Sequence, residues 1–261
     1  GRPLDNHYTG NLADICPVGA LTSKDFRFKC RVWFLSSVNS ICTGCAAGCN
    51  VEAHFKGDIL YRFKPRLNDA VNQAWMCDFG RLEYKKANEG RLLTPFVREE
   101  GTRKVAAWGS LIPQVAFRLS ETAEKAGPES VAVIASPQSS NEELYLVRRL
   151  AKELLRTPNL AFTHRVEGDG FADGFLIRAD KNPNAAGARL LGIPDGAAFD
   201  ALVERIAAGK IRALLVFGNG IGAFSEVDTM QLLSRVPFVA QAGTNEGPVS
   251  KAATAVLPSA S

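Results

Sequence analysis

The sequence predicts an α/β protein in two parts: a small region of short strands and loops, then a larger region built on a parallel sheet. Three observations carry this. Five of the six cysteines fall at or before Cys49 and the last is Cys77. Residues 1 to about 90 are rich in Gly, Asn, Asp and short apolar runs, the texture of strands and turns built around a site. From about residue 95 onward, apolar strand runs alternate with helical patterns, which argues for parallel strands joined by right-handed helical crossovers.

In chain order, "RVWFL" (31–35) and "DILYRF" (58–63) read as short strands. "VAVIA" (131–135) reads as a buried strand. "NEELYLVRRLAKELL" (141–155) puts Leu144, Val147, Leu150, Leu154 and Leu155 on one helical face, with Asn141 as N-cap. The stretch 164–197, dense in Gly, Asp, Asn and Pro, reads as a long loop or excursion. "AFDALVERIAAGK" (198–210) is helical, and "IRALLVFGNG" (211–220) is a strand entering a glycine turn. "SEVDTMQLLSRV" (225–236) is a helix capped by Ser225, and "PFVAQAG" (237–243) and "ATAVLP" (253–258) supply further strands. The "GNG" of 218–220 follows a strand as a nucleotide-cradling turn does, but lacks the third glycine and downstream acid of a dinucleotide fingerprint.

The 261 residues are 46% hydrophobic and 22% charged, which excludes the compositions of disordered, collagenous and membrane chains. A formal charge of +4 and a single basic cluster at Lys24, Arg27, Lys29 and Arg31 give no ground for nucleic-acid binding. No run of about 18 apolar residues occurs, and the N-terminus lacks signal-peptide features, so a soluble cytosolic protein is expected. The chain begins at Gly1 without Met and stops at "LPSAS", which suggests a fragment or processed piece at both ends.

Cys42, Cys45 and Cys49 form C-x2-C-x3-C, followed by Cys77. Three thiolates so close in sequence reach one inorganic core only if the loop wraps around it. Thr43, Gly44, Ala46, Ala47 and Gly48 are small enough for that, and the two glycines are free to take positive φ. Four cysteines are what a 4Fe-4S cluster requires. Structural zinc is the alternative, although it usually shows two separated C-x2-C pairs rather than three plus one. A redox C-x-x-C at Cys42 and Cys45 lacks the βαβ surroundings of such motifs, and buried structural cysteines would not produce this spacing.

Cys16, in "ICPVGAL", has the Cys-Pro that often closes a ferredoxin cluster motif; it is either the last ligand of a second cluster or a small buried hydrophobe. Cys30 has no motif and is expected in the core. His7, His54 and His164 are isolated; for His54 a hydrogen-bonded or surface role is expected over a cluster-supporting one.

"LDNHYTGNLADICPVGALTSKDFRFKCRVW", "ICTGCAAGCN" and "MCDFGRLEY" together resemble the family of the iron-sulfur G subunit of bacterial NADH-quinone oxidoreductase, respiratory complex I. The resemblance is strong over residues 1–90 and loose beyond, where "KAATAVLPSAS" is similar to a segment near the end of the family's α/β modules. It implies three parts. Residues 1–34 would end a ferredoxin-like 4Fe-4S region, 35–94 would form a 4Fe-4S domain of the type found in molybdenum and tungsten enzymes, and 95–261 would be a truncated molybdopterin-oxidoreductase-like α/β domain. Cys42, Cys45, Cys49 and Cys77 would then hold one complete cluster, and Cys16 would be the last ligand of a second whose other ligands precede Gly1.

Molybdenum enzymes of the superfamily, formate dehydrogenases among them, commonly place a cation two residues after the fourth cysteine. Here Phe79 stands there, and no Cys follows Cys77 to ligate a metal, which leaves only serine or aspartate ligation open. No molybdopterin is therefore expected, and no catalytic residue in this chain. The implied role is an electron-transfer subunit carrying electrons from NADH towards quinone. Its α/β part would serve as scaffold, with backbone amides near Gly44 and Gly48 tuning the cluster; Lys64, Arg66 and Arg81 are candidate tuning cations, with a solvated exposed face as the alternative for each. The implied partners are the other peripheral-arm subunits, including the NADH-oxidising flavin subunit, at the inner face of the plasma membrane, with membrane contact only through the complex. The rivals are a molybdopterin-dependent oxidoreductase fragment and a zinc-stabilised assembly module.

Overall fold

A computed structural model of the chain describes residues 4–162, 171–222 and 224–260. The expectation for His164 lies outside them. The chain forms two compact units: Gly1–Glu89 with Val166–Pro183, and Gly90–Arg165 with Asn184–Ser261. Part of the expected excursion thus joins the first unit rather than looping out of the second.

In the first unit a short helix α1 (Asn11–Ile15) precedes a three-stranded antiparallel sheet. Its strands β1 (Ser36–Ile41), β2 (Asn50–Lys56) and β3 (Ile59–Pro65) lie in sequence order and are followed by the short helices α2 (Asp78–Leu82) and α3 (Tyr84–Asn88). The strand expected at 58–63 is β3. The one expected at 31–35 is instead a 3-10 turn, Val32–Phe34, whose side chains are exposed. The β1–β2 ladder starts only at Ser36, so residues 31–35 have no strand to pair with. Cys30 is correspondingly half-buried rather than a core residue.

The second unit opens with the hairpin β4 (Phe96–Glu99) and β5 (Thr102–Val105), turned at Glu100 and Gly101, both at positive φ. Then come α4 (Trp108–Ala126), β6 (Val131–Ala135), α5 (Asn141–Arg149), β7 (Asn159–Phe162), α6 (Ala185–Leu190), α7 (Ala197–Ala207), β8 (Ala213–Phe217), α8 (Glu226–Leu233), β9 (Phe238–Gly243), α9 (Pro248–Ala252) and β10 (Ala255–Pro258). The sheet order is β5-β4-β10-β9-β8-β6-β7. β10 through β7 run parallel, as the alternation of strand and helix predicts, while the hairpin adds an antiparallel edge.

Alternate side chains of a strand face opposite sides of a sheet. Val131, Val133 and Ala135 of β6 accordingly join one core with Leu111, Val115 and Leu119 of α4 and Leu144 and Val147 of α5. Ala132 and Ile134 join the other, with Phe199, Leu202 and Ile206 of α7 and Leu232 and Leu233 of α8. Helices cover both faces, which is why β6 reads as an uninterrupted apolar run. α4 has no clear sequence signal because Gly109 and Pro113 interrupt its periodicity.

Two details of α5 differ from expectation. Its cap is Ser140, one residue earlier, which closes a capping box with Glu143. After Arg149 the chain makes a π turn, Leu150–Leu154, in which Leu155 N–H reaches the Leu150 carbonyl at 2.9 Å. The extra residue rotates Leu154 off the expected face to 75% exposure and leaves Leu155 buried. Among the described residues no helix is long and apolar enough to cross a membrane.

Candidate functional site

The connection from β1 to β2 is the cysteine loop itself. Ile41 pairs with Asn50, and Cys42 N–H donates to the Cys49 carbonyl at 2.8 Å, closing the loop at its base. Gly48 takes φ +62, the positive value such a reversal needs; of the two loop glycines it alone does so. Gly44 N–H points inward and donates to Cys42 Sγ at 3.4 Å.

Cys77 comes from a different element. It is the N-cap of α2, and its Sγ accepts the Gly80 N–H at 3.3 Å. The preceding Met76 is held on both sides by the buried Asn11, which donates Nδ2–H to the Met76 carbonyl (2.8 Å) and accepts the Met76 N–H (3.1 Å). Asp78 N–H donates to the His7 carbonyl at 2.7 Å. The segment at residues 6–11 thus fixes the position of Cys77, a role for Asn11 that no local sequence signal marks.

Gly80 matters for its lack of a side chain. A Cβ there would sit 2.7 Å from Cys42 Sγ and 3.5 Å from Cys77 Sγ, so the two sulfurs converge on the bare backbone of α2. Cys42, Cys49 and Cys77 are buried and Cys45 is half-buried. Burial pushes the Cys42 thiol up to about 12, with the neighbouring Cys49, Cys77 and Cys45 adding to the shift. Cys49 is likewise pushed up to about 12 by burial and then by Cys45 and Cys77, and Cys77 is raised by burial and then by Cys45 and Asp78. Cys42, Cys49 and Cys77 resist ionisation in this setting unless a cationic core compensates them, and the chemistry of the four-cysteine set fits such a core. Among the described residues, no group of three or more His, Cys, Asp or Glu side chains is already gathered as for a single metal ion.

Of the expected tuning cations, Lys64 and Arg81 are engaged with Asp14, at 3.5 and 2.7 Å, and Arg66 donates to Asn50. The cation whose charge favours the Cys49 thiolate is instead Arg178, from the 171–183 segment, which carries no sequence signal linking it to the cysteines. Phe79 is exposed and stands in an aromatic group with His7 and Phe171, at ring separations of 5.0 and 6.4 Å. His54 lies on β2 between Glu52 and Arg62, a hydrogen-bonded histidine as expected.

Cys16 stands apart from the four. It is half-buried, which sets aside the reading as a buried hydrophobe. The loop after it curls back so that Leu21 N–H donates to Cys16 Sγ at 3.4 Å, and this bond leads a set of backbone amides that hold its thiol below the ordinary range. The 218–220 turn is internally tied: the Asn219 carboxamide accepts the N–H groups of Thr244 and Asn245, and the Gly218 carbonyl accepts from Gln241.

Residues 35–85 match the family model described as the NADH-ubiquinone oxidoreductase NDSU1/NuoG-like 4Fe-4S domain. The chain is 35% identical over 153 residues to the NADH-quinone oxidoreductase G subunit of Rickettsia conorii, a match covering 59% of this chain and 22% of that protein. It is 36% identical over 162 residues to subunit 3 of the Thermus thermophilus enzyme, covering 62% and 20%. It is also 36% identical over 179 residues to the mitochondrial 78 kDa subunit of Neurospora crassa NADH-ubiquinone oxidoreductase, covering 69% and 24%. The chain therefore spans about a fifth to a quarter of the length of these relatives. Among solved structures, acetylene hydratase from Pelobacter acetylenicus aligns with a TM-score of 0.40 at 15% identity, over 77% of this chain and 29% of that one.

Proposed function

We propose, from the premise that the chain is homologous to the G subunit of NADH-quinone oxidoreductase and carries a 4Fe-4S domain of that type at residues 35–85, that it is an electron-transfer piece of such a protein. Cys42, Cys45, Cys49 and Cys77 hold one 4Fe-4S cluster. When bound, that cluster accepts and releases single electrons.

The chain's own residues do the rest. The thiols ligate iron as thiolates. The N–H groups of Gly44 and Gly80 donate to ligand sulfurs, which stabilises the charge a cluster carries, and the apolar packing of Val51, Met76 and Leu176 keeps water from the site. The convergence of Cys42 and Cys77 on Gly80 is the observation that carries this reading. Cys16, with its thiolate-favouring loop, is the last ligand of a second cluster completed by residues outside this sequence. Electrons pass from NADH, oxidised by a flavin-bearing partner, towards quinone, and the α/β unit serves as a scaffold without pterin chemistry. The aromatic Phe79 in place of a cation supports that last point. The partners are the other peripheral-arm subunits, at the inner face of the membrane that holds the complex.

Anaerobic reconstitution followed by iron, sulfide and metal analysis tests this. Four irons and four sulfides per complete site are expected, with a broad absorbance at about 400 nm and a paramagnetic signal on reduction. Cys77→Ser abolishes them and Cys30→Ser leaves them intact. Stoichiometric zinc without sulfide overturns the cluster, and bound molybdenum or tungsten overturns the scaffold reading.

A further inference from the structure

Residues 171–183 are remote in sequence from every cysteine, yet they belong to the cysteine-bearing unit. Their anchor is Asp173. Its Oδ1 accepts the backbone N–H groups of Phe175, Leu176 and Ile177 at 2.9–3.0 Å, folding the segment into a tight turn. Its Oδ2 accepts the hydroxyl of Tyr8. The turn delivers Leu176, 4% exposed, into the same apolar packing as Cys42 and Cys49. Phe175 stacks edge-on to Tyr8 at 5.3 Å and to Trp75 at 5.9 Å. Further along, the Asp180 carbonyl accepts the N–H of Ala46, inside the cysteine loop, at 2.8 Å.

Every one of these contacts either fixes the segment or touches the cysteine site. Among the buried members of that packing, Leu176 is the one that comes from neither the cysteine loop, β2 nor the Met76 turn. A carboxylate accepting four hydrogen bonds is a poor surface residue to lose: each neutral donor it satisfies, three backbone and one phenolic, would have to find water instead.

We infer that Asp173 is a positioning residue for the cluster site: bonded to Tyr8, it latches residues 171–183 over Cys42 and Cys49 and so sets how readily water and small reagents reach the sulfurs. This rests on the reading of those cysteines as cluster ligands. The latch is local, so opening it exposes the sulfurs without unfolding the sheet.

The test uses the full chain with Asp173→Ala, Asp173→Asn and Tyr8→Phe. In cluster-free protein, iodoacetamide labelling of Cys42 and Cys49, read by mass spectrometry, should be about ten-fold faster in Asp173→Ala, since several hydrogen bonds to a charged group are lost. Asp173→Asn keeps an oxygen for the backbone N–H groups, and Tyr8→Phe keeps the ring, so each should fall between. Labelling of the half-buried Cys30 should not change. In reconstituted protein, deuterium coupling to the reduced cluster in D2O, a measure of nearby water, should rise in the same order. Unchanged labelling of Cys42 and Cys49 in any variant that retains the wild-type circular dichroism overturns the latch. Failure of the wild type to take up iron and sulfide overturns the cluster reading instead, and leaves the labelling arm to decide the latch alone.

Discussion

In the α/β unit, Leu144, Phe162 and Val133 pack on one face of the sheet and Ile206, Leu214 and Ile134 on the other, all essentially without exposure. In the cysteine-bearing unit the comparable set is Cys42, Cys49, Val51, Met76 and Leu176, of which two are thiols, while Trp33, Phe34, Val38 and Phe79 of the same unit stay exposed. The cysteine-bearing unit has by far the smaller buried apolar set. Below a certain core size, metal ligation takes over that part of the stabilisation. The contrast teaches that the chain takes its order from side-chain burial where it has layers, and that the proposed cluster ligation would supply a second source where it has loops.

The largest expected effect comes from removing the cluster. Anaerobic chelation should lower hydrogen-exchange protection across β1–β3 by about ten-fold or more and leave β6, β8 and β9 unchanged. Protection lost equally in both units would erase the contrast. The converse perturbation is Leu144→Ala, which should destabilise the α/β unit by about 2–5 kcal/mol in denaturant melts without changing iron content.

A third test uses pH on the cluster-free protein. The folded Cys42 and Cys49 thiols are raised to about 12, above the ordinary range near 9. Their contribution to stability is therefore fully present below about pH 8.5, the unfolded thiol range, and is lost as pH rises towards the folded values. Denaturant midpoints of the cysteine-bearing unit should fall on going from pH 8 to 10.5, and a Cys42→Ala, Cys49→Ala variant should lose most of that dependence.

Gly80→Ala sharpens the comparison at one atom. Its methyl would meet Cys42 Sγ at 2.7 Å, so the helix or the loop must shift, and cluster occupancy should fall several-fold while the melt of the α/β unit stays unchanged. The smallest effect belongs to Ser140→Ala, which opens the capping box of α5 and should cost about 1 kcal/mol in the α/β unit alone.

Much of the α/β unit was legible because its signals are local. β6, β8, β9, β10, α7 and α8 each announce themselves by an apolar run, a helical period or a cap, and Ser225 caps α8 as read. Where a local signal was broken, the reading failed: Gly109 and Pro113 hid α4, and the π turn after Arg149 displaced Leu154. Val32–Phe34 misled in the opposite sense, since a β-prone run without a partner strand makes no strand.

What the sequence alone determined is the thiol spacing, three residues on one wrapping loop with small residues between, and the alternation that demands a parallel sheet. Both are short-range properties, set by φ, ψ and side-chain period within a dozen residues. What only the tertiary structure decided is the shell around the thiols: Asn11 holding Met76, Gly80 receiving two sulfurs, and Asp173 meeting Tyr8 across 165 positions. Such encounters leave no periodic trace, because burial and hydrogen bonding reward distance in space and are indifferent to distance along the chain.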